Sequence, residues 1–207
     1  MAEIIYVLTN EAMDGLVKIG RTSTSVEQRI KELDNTSIPL PFQCFYAGEV
    51  ADSVYVETHL HRAFADKRVR NNREFFRVDP NQARSAIMLA NPKDVTPRND
   101  VVVDASDVQA LQKASVVQDR RSRLKFSELN IPVGATLVFV KDESITCTVV
   151  ANGEVNFQGQ VTSPSGAAKL AVHSLGYKWS AVSGSDFWKY EDETLTARRF
   201  RMEDEQE

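Results

Sequence analysis

The fold of the first part of the chain is decided by two runs, IIYVLT at residues 4–9 and LVKIGR at residues 16–21. Both runs are apolar and rich in β-branched residues, which favours extended strands. Asp14-Gly15 lies between them, and Asp-Gly is a common hairpin turn. The pattern therefore predicts an antiparallel hairpin with Tyr6 on its first strand and Lys18 on its second.

The residues after the hairpin predict a short helix that carries an arginine. Residues 23–25, Ser-Thr-Ser, provide hydroxyls that suit a helix N-cap. In the following segment Val26, Ile30 and Leu33 recur at helical spacing, and Arg29 falls on the same face. Arg29 is therefore expected along the inward edge of this helix.

Further elements complete the first domain. Residues 42–50 predict a third strand, residues 53–64 a second helix, residues 75–78 a short strand and residues 80–89 a final helix. On the second helix Glu57 and His61 lie four positions apart and share a face, whereas His59 points away from it.

The distribution of these elements predicts an α+β protein with two small domains. Residues 1–92 are expected to form a three-stranded antiparallel sheet flanked by helices, and residues 93–119 a linker with a marginal helix. Residues 120–200 predict a second α+β domain, in which Asn152-Gly153 joins two strands as a hairpin. Residues 201–207 are an acidic tail without apolar periodicity, which we expect to be disordered.

Composition limits the classes of function. The chain has 207 residues and a formal net charge of -4, so any affinity for nucleic acid depends on local clusters of cations. One cluster extends from residue 62 to residue 77 and includes Arg68, Arg70 and Arg73. A second group lies at residues 120–125.

Cysteine use and hydropathy point to a cytoplasmic protein. Cys44 and Cys147 each lie inside an apolar run, which favours buried thiols over a disulfide and excludes a zinc site. The longest apolar runs are far shorter than the roughly 20 residues that span a bilayer, and no signal peptide begins the chain. We expect no contact with a membrane.

Four side chains of the first domain have complementary chemistry. Tyr6, Lys18, Arg29 and Glu57 provide a phenol, an ammonium, a guanidinium and one carboxylate. They are too few to enclose a metal ion, but they suffice for one Mg²⁺ or Mn²⁺ whose remaining ligands are water and phosphate. The set therefore predicts cleavage of a phosphodiester.

The order Tyr6, Lys18-Ile19-Gly20, Arg29 and Glu57-x-x-x-His61 resembles the GIY-YIG nuclease superfamily, in its phage and restriction-associated branch. The resemblance covers roughly residues 4–78. This chain has Ile4-Ile5-Tyr6 where the name-giving form has Gly-Ile-Tyr, and Lys18 where that form has the second tyrosine. The identity of the general base is therefore left open.

The resemblance implies a role for each residue of the pattern. Tyr6 would position or deprotonate the attacking water, Arg29 would stabilise the pentacovalent phosphate, and Glu57 would bind a single Mg²⁺ or Mn²⁺. Lys18 would act as a base or contact the scissile phosphate, and His61 would orient the carboxylate or move a proton. The residues expected to contact the nucleic acid around this site are Arg21, Arg68, Arg70, Asn72 and Arg73.

A second resemblance covers residues 124–199, which are similar to the RAMA domain of restriction enzymes and adenine methylases. It rests on residues 131–134 (IPVG), Asn152-Gly153, residues 163–168 (SPSGAA) and residues 182–188 (VSGSDFW). The family implies recognition of DNA, including modified DNA. Core packing is the main interpretation of Trp179 and Trp188, and stacking on a nucleobase is the alternative.

Three hypotheses about function follow. The first is a metal-dependent DNA endonuclease whose C-terminal domain selects modified or foreign double-stranded DNA. The second is a catalytically inactive DNA-binding protein on a nuclease scaffold, and the third is RNA processing. One active centre per chain would nick DNA, so that cutting both strands would need a homodimer or two visits.

Overall fold

A computed structural model describes residues 3–35, 37–101, 107–114 and 126–205. The chain divides into two compact units, Met1–Ala110 and Leu111–Glu207. Each unit combines helices with an antiparallel sheet, which confirms the α+β class. Among the described residues there is no helix with the length and apolar character needed to cross a membrane.

The first unit contains a five-stranded sheet and three helices in the part of the chain that the structure describes up to residue 101. In chain order these elements are β1 (Ile4–Thr9), β2 (Val17–Thr22), α1 (Val26–Leu33), β3 (Gln43–Glu49), α2 (Ser53–Ala63), β4 (Phe75–Phe76), α3 (Pro80–Met88) and β5 (Lys93–Asp94).

The sheet has the strand order β4-β2-β1-β3-β5, and every neighbouring pair is antiparallel. The three predicted strands form its centre, and the two-residue strands β4 and β5 extend it at the edges. In the β1–β2 hairpin, Tyr6 lies opposite Gly20 and Leu8 lies opposite Lys18. Because paired residues point to the same face, Lys18 and Gly20 lie on the Tyr6 face of the sheet.

Helices cover both faces of the sheet. On the Tyr6 face, Tyr6 and Leu8 pack in one core with Val26 and Ile30 of α1. α2 packs against β2, and α3 packs against β1 and β3. Burial on two sides explains why β1 is an unbroken apolar run rather than an alternating one.

The predicted start of the linker is wrong, because residues 93–96 belong to the first sheet. β5 pairs with β3, the amide of Val95 donates to the Ala47 carbonyl, and the Ala47 amide donates to Thr96 Oγ1 at 3.0 Å. The marginal helix is present over residues 107–114, where Leu111 is fully buried. The remaining parts of the predicted linker, 102–106 and 115–119, lie outside the described residues.

The second unit contains a six-stranded antiparallel sheet with the order β11-β10-β6-β7-β8-β9. Its elements after residue 125 are β6 (Thr136–Phe139), β7 (Asp142–Val149), β8 (Val155–Phe157), β9 (Gln160–Thr162), α4 (Pro164–Ser174), α5 (Gly184–Phe187), β10 (Trp188–Tyr190), β11 (Glu193–Thr194) and α6 (Leu195–Asp204). The two strands predicted on either side of Asn152-Gly153 correspond to β7 and β8.

The predicted turn at Asn152-Gly153 is confirmed. β7 and β8 pair on either side of it, and Val149 lies opposite Val155. Asn152 and Gly153 have φ angles of 64° and 75°, a left-handed backbone that asparagine and glycine adopt most readily. β9, β10 and β11 are two or three residues long and were not predicted.

Trp188 is the largest fully buried side chain of the second unit. Its indole Nε1 donates to the Pro164 carbonyl at 2.9 Å, which satisfies the polar atom of an otherwise apolar ring. Phe139 and Phe157 meet the ring at centroid distances of 5.1 Å and 6.0 Å. Trp188 therefore connects β10, α4 and the centre of the sheet.

The prediction of a disordered acidic tail from residue 201 is wrong as far as Asp204, where α6 ends. Arg198 is buried, its Nε donates to the Leu129 carbonyl at 2.6 Å, and its Nη1 pairs with Glu191 and Glu193. Arg201 pairs with Glu193 and, one helical turn on, with Glu205. The i,i+4 pairs Arg199–Glu203 and Arg201–Glu205 stabilise the acidic end of this helix, which has little apolar surface.

Both cysteines are buried free thiols, as predicted. Burial raises the pKa of the Cys147 thiol to about 12. This thiol is therefore protonated and unreactive near neutral pH.

We expect Trp188→Ala to destabilise the second unit by about 3–5 kcal/mol, because the substitution leaves a cavity between helix and sheet. Trp179, the other tryptophan of the chain, lies in the same unit, so its fluorescence during denaturant unfolding reports the loss. Val133→Ala is the control, since Val133 is 70% exposed. An unchanged unfolding midpoint for Trp188→Ala would contradict this description of the core.

Candidate functional site

Tyr6 and Arg29 form the centre of the candidate site. Tyr6 is fully buried on β1, and its hydroxyl accepts a hydrogen bond from Arg29 Nε at 3.4 Å. α1 begins under the Ser25 N-cap, whose hydroxyl accepts from the Gln28 amide, and this cap fixes the start of the helix that carries Arg29. Arg29 also pairs with Glu32 at 3.0 Å and therefore lies at the edge of the core, as predicted.

The environment of Tyr6 keeps its phenol protonated. Burial raises the pKa of Tyr6, the hydrogen bond and charge of Arg29 act against that rise, and the charges of Glu74 and Glu57 add to it. Because the oxygen accepts from Arg29, the phenol proton is available to a second partner. Tyr6 is thus a hydrogen-bond donor rather than a base near neutral pH.

Gly20 faces the Tyr6 ring directly across the hairpin. A Cβ atom at residue 20 would lie 2.6 Å from the Tyr6 hydroxyl oxygen and 2.9 Å from Cζ, which is closer than van der Waals contact allows. The ring is fully buried and has no room to withdraw. The glycine of the Lys18-Ile19-Gly20 motif therefore provides the space that the phenol occupies.

Lys18 forms an ion pair with Glu74, through Nζ and Oε2. The lysine side chain is only 8% exposed, whereas the glutamate side chain is 38% exposed. Lys18 Nζ also lies 5.5 Å from the centroid of the Phe75 ring. The carboxylate is therefore the part of the pair that solvent meets, and the structure does not support the direct phosphate contact predicted for Lys18.

Glu74 is the site residue that the sequence analysis missed. Burial acts to raise the pKa of Glu74, but the hydrogen bond and charge of Lys18, with the charges of His61 and Arg29, outweigh burial and lower it. The carboxylate is therefore ionised at neutral pH. The sequence gives little indication of Glu74, because Glu74 precedes a strand of only two residues, β4. The pairing of β4 with β2 brings Glu74 to Lys18.

Glu57 approaches the site from α2. Its Oε2 lies 3.2 Å from Arg21 Nε, so Arg21 is the counterion of the proposed metal ligand. The N-cap Asp52, which accepts from the Tyr55 amide at 2.8 Å, fixes the start of this helix. The charge of Glu57 adds to the rise in the pKa of Tyr6.

The donor set suits a weakly enclosed cation. Within the described ranges of the chain there is no group of three or more His, Cys, Asp or Glu side chains that would hold a metal ion. A single carboxylate such as Glu57 suits Mg²⁺, which retains several waters and binds substrate phosphate. The residues present therefore fit only a cation that takes most of its ligands from outside the protein.

His61 does not contact Glu57 in the way that the sequence predicted. Its Nε2 lies 3.0 Å from the Ile19 carbonyl oxygen and must be the donor, because a carbonyl only accepts. Its ring packs on Phe76 at a centroid distance of 5.0 Å. His61 thus satisfies a backbone carbonyl in the middle of β2, and Nδ1 is its remaining ring nitrogen. His59 points away, as predicted, and stacks on Tyr55.

The basic cluster divides into a structural arginine and exposed ones. Arg68 Nε donates to the Arg73 carbonyl at 2.6 Å, and its guanidinium lies 5.5 Å from the Phe76 ring centroid, so Arg68 closes the loop before β4. The side chains of Arg70, Asn72 and Arg73 are exposed on that loop. The second basic group, residues 120–125, lies outside the described residues.

The structure contradicts a base-stacking role for the two tryptophans. Trp188 is fully buried, and Trp179 is covered by Lys141, whose Nζ lies 5.3 Å from its ring centroid. Core packing, the main interpretation, accounts for both. An open depression of about 700 Å³ lies elsewhere in the second unit, where residues 131–133 of the IPVG motif meet Asn152-Gly153, with Phe126 and Asn130 alongside.

Comparison with known families shows a match over residues 3–90 to the T5orf172 domain. The matched segment covers α1 to α3 and the central strands of the first sheet, including every residue of the candidate site. Comparison with curated proteins gave no match, and comparison with solved structures gave none either.

We expect Gly20→Ala to destabilise the first unit by about 1–3 kcal/mol, because the new Cβ overlaps the Tyr6 phenol. In a Tyr6→Phe background the nearest clashing atom is absent, so the same substitution should cost less. Calorimetric unfolding of the four proteins of this cycle measures both costs. Equal costs in the two backgrounds would show that Tyr6 does not restrict residue 20.

Proposed function

We propose that the first unit is a metal-dependent endonuclease domain that hydrolyses phosphodiester bonds in DNA. The observation that carries the proposal is the contact between the Tyr6 phenol and the Arg29 guanidinium, within the electrostatic reach of Glu57 and Glu74. The guanidinium that Tyr6 holds suits the negative charge of a phosphoryl transition state, and Glu57 supplies one carboxylate for a cation.

Glu57 is the residue that would hold the cation. Arg21 contacts its Oε2, which orients the carboxylate without enclosing it. A bound Mg²⁺ or Mn²⁺ would supply Lewis-acid stabilisation of the phosphate oxygens. The remaining ligands would be water and the substrate itself, in keeping with the small number of protein donors.

Arg29 acts on the phosphate, and Tyr6 holds Arg29 in place. The Arg29 side chain is 35% exposed, so its planar guanidinium can reach two non-bridging oxygens where negative charge accumulates. The bond to Tyr6 holds that guanidinium before the substrate arrives, which reduces the entropy lost in the transition state. Because the Tyr6 side chain is fully buried, its role is to hold Arg29 rather than to contact the substrate directly.

The DNA backbone would lie against the loop before β4. Arg70, Asn72 and Arg73 are exposed there, close in sequence to Glu74 and to the Arg68 clamp. Exposed guanidinium groups beside a phosphodiesterase site are the expected footprint of a duplex backbone. This local cluster offsets the net negative charge of the chain.

We infer that the second unit selects the DNA to be cut, including modified or foreign DNA. The inference is supported by the depression in which the IPVG motif meets Asn152-Gly153, because two sequence features of the RAMA resemblance line one concave surface. A volume of about 700 Å³ is within the range of specific ligand sites.

We expect Glu57→Ala to lower DNA cleavage by about 100-fold or more, because the substitution removes the carboxylate that would hold the cation. Nicking and linearisation of supercoiled plasmid, in Mg²⁺ and separately in Mn²⁺, measure the loss. Plasmids with and without adenine or cytosine modification test the second unit. Glu27→Ala, an exposed helical glutamate, is the matched control and should cleave normally.

The outcomes of this assay separate the hypotheses. Equal cleavage by Glu57→Ala and the wild type would contradict the proposed site. DNA binding without cleavage by the wild type would support a catalytically inactive DNA-binding protein, which the replacement of the second tyrosine by Lys18 favours. Cleavage of a matched RNA but not of the DNA would indicate RNA processing.

We expect Arg70→Gln and Arg73→Gln each to reduce the salt dependence of DNA binding, because each removes a phosphate contact. The slope of log K against log salt concentration should become shallower by about one per substitution. Titrations of a labelled duplex between low and high salt measure this slope. Lys93→Gln is the control, since Lys93 is exposed on the far edge strand β5. Unchanged slopes in both arginine variants would place the DNA elsewhere.

A further inference from the structure

Hydrolysis by water needs a group that removes a proton from the attacking water, and this group must face the solvent beside the phosphate. Glu32 neutralises Arg29 on α1 and Glu57 is the proposed metal ligand, so the other titratable side chains near Tyr6 are Lys18, His61, Glu74 and Tyr6 itself. The contacts of these side chains show which of them can accept a proton from the water.

Three of these four are poorly placed to act as the base. The Tyr6 phenol is protonated, because burial raises its pKa. Lys18 is almost fully buried and donates to Glu74 as an ammonium. His61 donates through Nε2 to the Ile19 carbonyl and packs its ring on Phe76, which pairs with Val17 on the face of the sheet opposite Lys18 and Tyr6.

Glu74 has the opposite properties. Its side chain is 38% exposed, the most accessible part of the ion pair, and Lys18 contacts one carboxylate oxygen, Oε2. Its partner Lys18 lies on the same face of the sheet as Tyr6. A carboxylate that faces a phosphodiester is repelled by it unless water or a cation lies between them. The exposed Glu74 carboxylate, held by Lys18 at one oxygen, is therefore suited to hold the attacking water with the other oxygen.

We propose that Glu74 is the general base of the site and that Lys18 is its positioning residue; the proposal rests on the proposed nuclease function. The water oxygen forms a bond to phosphorus while the bond from phosphorus to the leaving oxygen breaks. The proton of the water passes to a Glu74 carboxylate oxygen, and the leaving oxygen takes a proton from solvent. Glu74 then releases its proton to solvent and is regenerated.

Lys18 has a defined part in this arrangement. Its hydrogen bond orients Glu74, and its charge keeps the carboxylate ionised and ready to accept a proton. The same charge makes the carboxylate a weaker base, which the fixed position of the water offsets. General base catalysis of this kind typically contributes about 10²–10⁴-fold to the rate.

Glu74→Gln is the most informative substitution, because an amide oxygen still accepts from Lys18 but does not take up a proton. With a duplex substrate and Mg²⁺ we expect kcat to fall by about 10²–10⁴-fold, with KM within about twofold of the wild type. Glu49→Gln is the matched control, since Glu49 pairs with Lys93 of the edge strand β5, on the opposite side of β1 from β4 and Glu74. Its kinetics should not change.

Chemical rescue separates a base from a structural carboxylate. In Glu74→Ala, added formate should restore part of kcat, whereas formate should not affect Glu57→Ala. Lys18→Met should lower kcat less than Glu74→Gln, and combining the two should cost no more than Glu74→Gln alone. Thermal melting of each variant checks that the fold is retained, and Glu74→Ala replaces Glu74→Gln if the latter does not fold.

The results distinguish this proposal from the proposed function. Wild-type kcat in Glu74→Gln, with cleavage still lost in Glu57→Ala, would overturn the role of Glu74 and leave the nuclease intact. A rise in KM with kcat unchanged, or no rescue by formate, would likewise overturn it in favour of a binding or structural role. An absence of cleavage by the wild type on every substrate would overturn both.

Discussion

The absence of a side chain at Gly20, in the space that the Tyr6 ring occupies, is the constraint on which the site depends. It allows a phenol to be fully buried between paired strands, with its hydroxyl directed at Arg29. A buried hydroxyl needs a partner, and the partner here is a guanidinium that remains one-third exposed. The buried Tyr6 hydroxyl therefore fixes the position of Arg29, and the exposed part of the Arg29 guanidinium is the group that the proposed chemistry requires.

Strand β2 supplies the counterions for both carboxylates of the site. Lys18 pairs with Glu74 and Arg21 pairs with Glu57. The two cations are three residues apart on one strand, so their side chains leave the sheet on opposite faces. Glu74 comes from the start of β4 and Glu57 from α2, and both charges still act on Tyr6. The six-residue strand β2 thus carries the cations that neutralise Glu74 and Glu57.

Much of this arrangement could be predicted from the sequence, because long elements carry strong patterns. The β1–β2 hairpin, α1 with Arg29 on its inward edge and α2 with Glu57 follow from apolar periodicity and caps. Glu74 could not be found in this way, since β4 is two residues long and its partner is set by tertiary pairing. The same reason explains the missed strands β5 and β11, and the acidic end of α6 is stabilised by ion pairs rather than by an apolar face.

The most direct test of the central claim is to let the full-length protein act on duplex DNA in water enriched in the heavy oxygen isotope. Mass spectrometry of the products then shows where the isotope enters. The account predicts cleavage that depends on Mg²⁺ or Mn²⁺, with one heavy oxygen in each new terminal phosphate, because water attacks phosphorus directly. Products without the isotope, or DNA that stays intact with every metal, would contradict it.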